Sequence, residues 1–343
     1  MIASFSECLK LERSRARNLV RETTLSAFEE QGAASETETR FVPNLFILGA
    51  MKCGTSTLHS YLGQLPDVCM SDPKEPFFFE AEYEKGLDFY RRKYFAHWKG
   101  QEVIGEARHR NLYLPYIPDR IRAMNPDAKL IAVLRNPVER AFSHWYFNCW
   151  HKVETLGLKQ ALQADLLRME RGLRYETEDE QVEHIRCFYQ NGEQGDGPYR
   201  TYLDTGYYFE QIERYLQRFP QEALKVVMFE DLIRRPAEIV TDLVEFLRLD
   251  STRNCFQGEI RENLSQAPEP PGWMSTVWHR SGLRAILPAG LRDRVYQLTY
   301  NRVRKAMKPK LDDRTRRWLC DHYREHNRRL ADWLGRDLSH WDR

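Results

Sequence analysis

No stretch of this 343-residue chain approaches the roughly 18 to 20 consecutive apolar residues that a membrane-spanning helix requires. The first residues, with Glu7, Lys10, Glu12 and Arg13 among them, lack the apolar core of a signal peptide. Cysteine is sparse and unpatterned. Seven residues, at 8, 53, 69, 149, 187, 255 and 320, form no C-x-x-C pair and no His/Cys ligand spacing, which argues against a disulfide framework and a structural zinc site. Together these absences set the expectation of a reducing, cytoplasmic compartment. An excess of one charge is also missing: 52 basic residues stand against 50 acidic ones, a net charge of +2, so the total points to neither nucleic acid nor a membrane surface. The local exception runs from Arg280 to Arg343, where 17 Lys and Arg face 8 Asp and Glu, and a solvated helix face of mixed charge accounts for it more simply than an anion site.

With 42% hydrophobic residues the chain can bury a sizeable core, and its length suits one α/β domain with insertions. Residues 1–40 read as an N-terminal extension, an amphipathic helix carrying Leu9, Leu11, Leu19, Val20, Leu25 and Phe28 and then a polar linker; residues 41–343 read as the domain proper. Buried strands are expected at Phe46–Leu48, near Val103–Glu106, at Leu130–Leu134 and at Leu224–Phe229. Their alternation with helices predicts an α/β fold, a parallel sheet with helices on both faces and a helical C-terminal part. Segment 151–200 reads as a helical insertion and a loop, and 255–290, with four prolines, as a long ordered loop.

The chemistry begins at Phe46–Leu58. An apolar strand is followed by Gly49 and Gly54 bracketing a tight loop, and Thr55, Ser56 and Thr57 stand where a helix begins. Free N–H groups of a first helical turn and the helix dipole make that junction an anion cradle, so the expected ligand is a phosphate. A nucleoside triphosphatase loop would place lysine directly after the second glycine. Here Thr55 takes that position and the lysine has moved back into the loop as Lys52. The strand Leu130–Leu134 runs into a second candidate site, Arg135-Asn136-Pro137, again at a strand end followed by a helix. Between them, Lys74 and Glu75 are held between Pro73 and Pro76, just before Phe77, Phe78 and Phe79; a carboxylate fixed on a rigid segment beside an apolar wall is what a general base needs.

Three of these segments resemble motifs of sulfotransferases that use 3′-phosphoadenosine 5′-phosphosulfate (PAPS), in particular the heparan-sulfate-type and bacterial carbohydrate enzymes. The loop at Lys52 resembles their 5′-phosphosulfate loop. Leu134–Trp145 resembles their 3′-phosphate segment, with Arg135 at the strand end and Ser143 eight residues later. Lys74–Phe79 is similar to the segment that carries their catalytic glutamate. The likeness spans about residues 42–340 and includes weaker landmarks, Thr205-Gly206-Tyr207, Phe229-Glu230-Asp231-Leu232 and Gly335-Arg336-Asp337-Leu338. It implies a P-loop-like fold and sulfuryl transfer from PAPS to a hydroxyl-bearing acceptor, a carbohydrate, glycolipid or small metabolite. It further implies no required metal and no nucleic-acid partner. Lys52 and Glu75 would be catalytic; Lys52, Cys53, Gly54, Thr55, Ser56, Thr57, Arg135 and Ser143 would bind the nucleotide. Two departures stand out: Phe77 where those enzymes commonly have histidine, and Arg108 where Gly105-Glu106-Ala107 would be followed by serine. Two alternatives stay open, a kinase with a degenerate loop, which would bind ATP and magnesium, and a non-catalytic nucleotide- or sulfoglycan-binding protein of the same fold.

Overall fold

A computed structural model describes residues 41–172, Thr177, 200–256 and 309–343. The expected N-terminal extension, the later part of the 151–200 insertion and nearly all of the 255–290 loop lie outside these residues. Five strands, β1 (Leu45–Gly49), β2 (Val68–Met70), β3 (Val103–Ala107), β4 (Lys129–Leu134) and β5 (Leu224–Met228), form one sheet in the order β2-β3-β1-β4-β5, with every neighbouring pair parallel. The fold is the expected α/β, P-loop-like one. Strands β1 and β4 carry almost unbroken apolar runs because both faces of a parallel sheet are covered.

Helix α1 (Thr55–Leu62) packs on β1, β2 and β3. It stops three residues short of Leu65, at Gly63, whose N–H donates to the His59 carbonyl. Next in order are α2 (Gly86–Tyr94), α3 (Ile117–Met124), α4 (Pro137–Trp150), α5 (Leu158–Glu170), α6 (Tyr208–Leu216), α7 (Phe229–Arg234) and α8 (Pro236–Phe246). The 22-residue α9 (Asp313–Leu334) closes the chain with a short turn, Ser339–Asp342. Caps set two of these starts. Asn136 accepts from the Val138 N–H at 2.9 Å with Pro137 in the first turn of α4, and Asp312 accepts from the Thr315 N–H at 2.9 Å at the start of α9.

Segment 68–79, where Pro73 and Pro76 favour extended backbone, is not extended throughout. Its first residues form edge strand β2, and beyond Pro76 the chain winds into a short turn at Phe78–Glu82. Core packing drives that turn: Phe78 stacks on Tyr90 at 4.1 Å between ring centroids, and Phe79 meets Phe46 edge-on at 5.5 Å.

A second, smaller core joins Val138 of α4, Ala161 and Leu162 of α5, Tyr202, Leu203 and, from α9, Leu319 and Tyr323. The Tyr323 hydroxyl donates to the carbonyls of Tyr202 (3.1 Å) and Leu203 (3.0 Å), while its ring lies against Gly206. The basic C-terminal stretch is a solvated face where it is described, since Arg324 pairs with Asp321 and Arg328 with Glu325 and Asp332 along α9, all exposed. No helix among the described residues is long and apolar enough to cross a membrane, and the five described cysteines are unpaired.

A Cβ at Gly206 would sit 2.7 Å from a Tyr323 ring carbon. Gly206→Ala is therefore expected to destabilise the fold by about 1–3 kcal/mol, read as a lower urea midpoint with unchanged slope. An unchanged midpoint would mean that α9 shifts without cost.

Candidate active site

The loop after β1 is tied to the neighbouring strand, where the Ala50 N–H donates to the Val133 carbonyl at 2.8 Å. Lys52 follows in the left-handed region at φ 67°, which turns the chain back toward α1. Its ammonium lies over the Phe147 ring of α4, 4.1 Å from the centroid. Gly54 stands at the N-cap of α1 with φ 93°, and a Cβ there would come within 2.9 Å of the Phe229 ring. No side chain caps this helix, so its N-terminal dipole faces the loop. Thr55 is buried, and Ser56 and Thr57 are half-buried. Cys53 points inward, its sulfur 3.7 Å from the Tyr208 hydroxyl, and burial pushes its thiol up to about 11. Only its backbone is therefore suited to an anion.

Arg135 leaves the end of β4 beside this loop. Its guanidinium lies 4.7 Å over the Phe229 ring, and Nη1 donates to the Lys52 carbonyl at 3.4 Å. Its Nε is buried with no hydrogen-bond partner among the described residues, an orphan donor of the kind an anion would satisfy. Tyr208 links the two strand ends, for its hydroxyl donates to the Arg135 carbonyl at 2.8 Å while contacting Cys53. Ser143 is half-buried on α4.

Glu75 also has a positive φ, 68°, and its N–H donates to the Ala107 carbonyl at 3.1 Å, so it rides beside the end of β3. Oε1 pairs with Lys74 Nζ, and Oε2 accepts from His109 Nδ1 at 2.8 Å and the His109 N–H at 3.0 Å. Arg108 Nη1 is 3.6 Å from the same oxygen. Burial pushes the Glu75 carboxyl up, but His109, Lys74 and Arg108 together hold it well below the usual carboxylate range. Burial lowers the His109 imidazole in turn, against the pull of Glu75. An ionised carboxylate only accepts, so the hydrogen of His109 sits on Nδ1. The two departures from the resembled pattern touch each other: the Arg108 guanidinium lies 4.2 Å over the Phe77 ring.

A family profile described as a sulfotransferase domain matches residues 42–268. The chain belongs to the sulfotransferase family. It is 31% identical over 220 residues to human heparan sulfate glucosamine 3-O-sulfotransferase 6, covering 63% of this chain and 55% of that one. It is 25% identical over 266 residues to the membrane-associated sulfotransferase kil1 of Dictyostelium discoideum, covering 61% of this chain and 56% of that one. It thus spans about half the length of these curated relatives. The crystal structure of a sulfotransferase from Alicyclobacillus acidocaldarius superposes with a TM-score of 0.59 at 26% identity, covering 89% of this chain and all of that one.

Of the residues singled out from sequence, Lys52, Glu75 and Arg135 of this sulfotransferase follow or flank the ends of adjacent strands β1, β3 and β4, while Ser143 stands on α4. Four contributors were not legible in the sequence. Phe147, Phe229 and Tyr208 are aromatics that supply a ring or a hydroxyl under Lys52, Arg135 and Cys53, and they look like ordinary core residues at helical spacing. Glu80 is a fully buried carboxylate paired with Arg108 and Arg110, and its signal was a charge placed directly after three phenylalanines. Among the described residues no group of three His, Cys, Asp or Glu side chains could hold a metal ion.

Glu106, fully buried on β3, receives the Tyr90 hydroxyl and Asn111 Nδ2 (2.6 Å), and burial raises its carboxyl from 4.5 to about 7 against those hydrogen bonds. Its pKa is higher folded than unfolded, so the stability it contributes is fully present below about pH 4.5 and is lost as pH rises through about 7. Asp165 on α5, raised to about 7 by burial and the Asp204 carboxylate, adds to the same slope. Relative to Glu106→Gln, the parent should lose roughly 2–3 kcal/mol of unfolding free energy between pH 5 and 8. Parallel pH profiles from denaturant titrations would contradict an ionisable, buried Glu106.

Proposed function

We propose that this sulfotransferase moves a sulfuryl group from PAPS to a hydroxyl of a carbohydrate-type acceptor. The observation that carries the reading is the pairing of two anion sites on adjacent strands. The uncapped N-terminus of α1 with Lys52 lies at the end of β1, and Arg135, with its orphan Nε, at the end of β4. A donor phosphorylated at both ends needs both sites, whereas a kinase needs one. Relatives named for heparan sulfate support a sugar acceptor.

In this reading the backbone N–H groups of Gly54 to Thr57, with the Thr55, Ser56 and Thr57 hydroxyls, hold the 5′-phosphate, and Cys53 contributes its backbone. Arg135 and Ser143 hold the 3′-phosphate. Lys52 stabilises charge that builds on the departing phosphate, and Glu75 accepts the acceptor hydroxyl's proton. PAPS supplies an activated sulfuryl group, and positioning with charge stabilisation supplies most of the catalysis.

Lys52→Ala should lower turnover by about 10²-fold or more while adenosine 3′,5′-bisphosphate still binds, whereas Arg135→Ala should weaken that binding by about 10- to 100-fold in calorimetry. Unaltered turnover or unaltered affinity would remove the respective role. The acceptor class is tested by screening oligosaccharides and simple alcohols with ³⁵S-labelled PAPS, and label confined to non-sugar acceptors would refute it.

For Glu75 the depressed carboxyl dictates the pH profile. The base stays ionised, so turnover should hold down to pH values below the ordinary carboxylate range and Glu75→Gln should abolish most of it. An acid limb at or above the ordinary value of 4.5 would assign the proton to another group.

A further inference from the structure

We propose that Arg108, seated on the Phe77 ring, is a positioning residue for Glu75, so that substitutions at 108 and 77 act on the base through one shared contact. The inference rests on the reading of Glu75 as the base. Because Glu75 sits at φ 68°, regular secondary structure does not aim its carboxylate, and the side chains around it, with the His109 N–H, must. Of these, Lys74 and His109 keep 18% and 22% side-chain exposure, but Arg108 keeps only 6%.

Arg108 is fixed from three sides. Nε donates to Glu80 Oε2 at 2.8 Å and Nη2 pairs with the same oxygen. Glu80 is itself fully buried and is held on its other oxygen by Arg110. The flat face of the guanidinium rests on Phe77, whose N–H donates to the Tyr94 hydroxyl at 3.2 Å. What remains, Nη1, faces Glu75 Oε2.

A hydroxyl residue at 108 would strip Glu80 of a partner, Phe77 of its cation and Glu75 of its one immobile charge. A histidine at 77 would replace the ring face under the guanidinium with a polar edge, yet could itself reach toward a carboxylate. Each change therefore disturbs the same contact, and the two are coupled. With its other donors spent on Glu80, Arg108 is a positioning residue.

The charged groups around Glu75 are Lys74 on its own segment, Arg108 and His109 after β3, Glu80 and Arg110 behind Arg108, Glu106 on β3, and His59 and Asp72 on the far side. The test compares the full chain with Arg108→Ser, Phe77→His, the double variant and Arg108→Lys. One readout is the slow hydrolysis of PAPS, in which water replaces the acceptor. The bond from sulfur to the phosphate oxygen breaks, one to the water oxygen forms, and the products are sulfate, adenosine 3′,5′-bisphosphate and the two protons of the water. The other is the ¹⁵N titration of His109, assigned with His109→Gln.

Each of the two single changes should slow hydrolysis by about 10- to 100-fold without altering bisphosphate affinity, as misplacement of a reacting group does. The double variant should lose clearly less than the product of the two single losses, because coupled sites are not additive. In Arg108→Ser the His109 midpoint should move up as a neighbouring cation is lost. If Arg108→Ser does not fold, Arg108→Lys keeps Glu80 paired but removes the fork, and should still lose about tenfold in rate. A double variant that loses the product of the single losses, an unmoved His109 midpoint, or a parent-like Arg108→Lys would overturn the proposal. If the parent neither hydrolyses PAPS nor binds the bisphosphate, the donor assignment fails, and the titration alone still decides whether Arg108 acts on the Glu75–His109 pair.

Discussion

Parallel pairing of β1 with β3 on one side and β4 on the other brings three strand ends to one edge, and the site is made of what each chain does immediately afterwards. After β1 the loop turns at Lys52 into α1. After β3 come Arg108, His109 and Arg110, and after β4 come Arg135 and the capped start of α4. The order β2-β3-β1-β4-β5 makes β1 and β4 the pair where connections diverge to opposite sides, the crevice in which open α/β sheets hold ligands. Neither anion site is unusual alone. Their adjacency comes from the strand order, and the Arg135 contact to the Lys52 carbonyl records how close they are.

Within that edge desolvation pushes both Glu75 and Glu106 up, with opposite net results. Glu106 meets neutral donors, Tyr90 and Asn111, which stabilise its charge less than burial opposes it. Glu75 meets Lys74, Arg108 and His109, which overcome burial. Glu80, as fully buried as Glu106 but held by Arg108 and Arg110, is lowered rather than raised, so the identity of the neighbours and not burial alone sets these carboxyls. Arg108 draws its own fixity from Glu80, so a shared guanidinium links one buried carboxylate to Glu75, adding to the larger effects of His109 and Lys74.

The sheet was readable because its strands are short apolar runs with abrupt ends. Leu130–Leu134 admits little else, and the loops that follow carry the glycines and proline that the turns require. Edge strand β2 was hidden because Val68-Cys69-Met70 is only three residues long. In the site, residues with distinctive chemistry could be picked out, such as a lysine displaced in a glycine loop or a carboxylate between prolines. Their supports could not, since a phenylalanine under an arginine and a phenylalanine in the core are the same letter. The weak landmarks gain a physical meaning only in three dimensions. Phe229 floors both Gly54 and Arg135, Gly206 receives Tyr323, and Arg336 of the last landmark pairs with Asp231 of the one before it at 3.0 Å.

These supports bear on a cost carried by the two residues proposed for the chemistry. Lys52 and Glu75 are two of only four non-glycine residues with positive φ among those described, at 67° and 68°. Such backbone costs on the order of 1–3 kcal/mol per residue and persists only where its surroundings over-determine it. At Lys52 the surroundings are the Ala50 bond to Val133, the Arg135 bond to the Lys52 carbonyl and the Phe147 ring. At Glu75 they are the bond to Ala107 and the Lys74, Arg108 and His109 side chains. Both positions are thus held from strands β3 and β4 and from the residues that follow them. Packing that loosened the register of β1 against either strand would release the strained residues first, and with them the geometry of the site, before the sheet itself came apart.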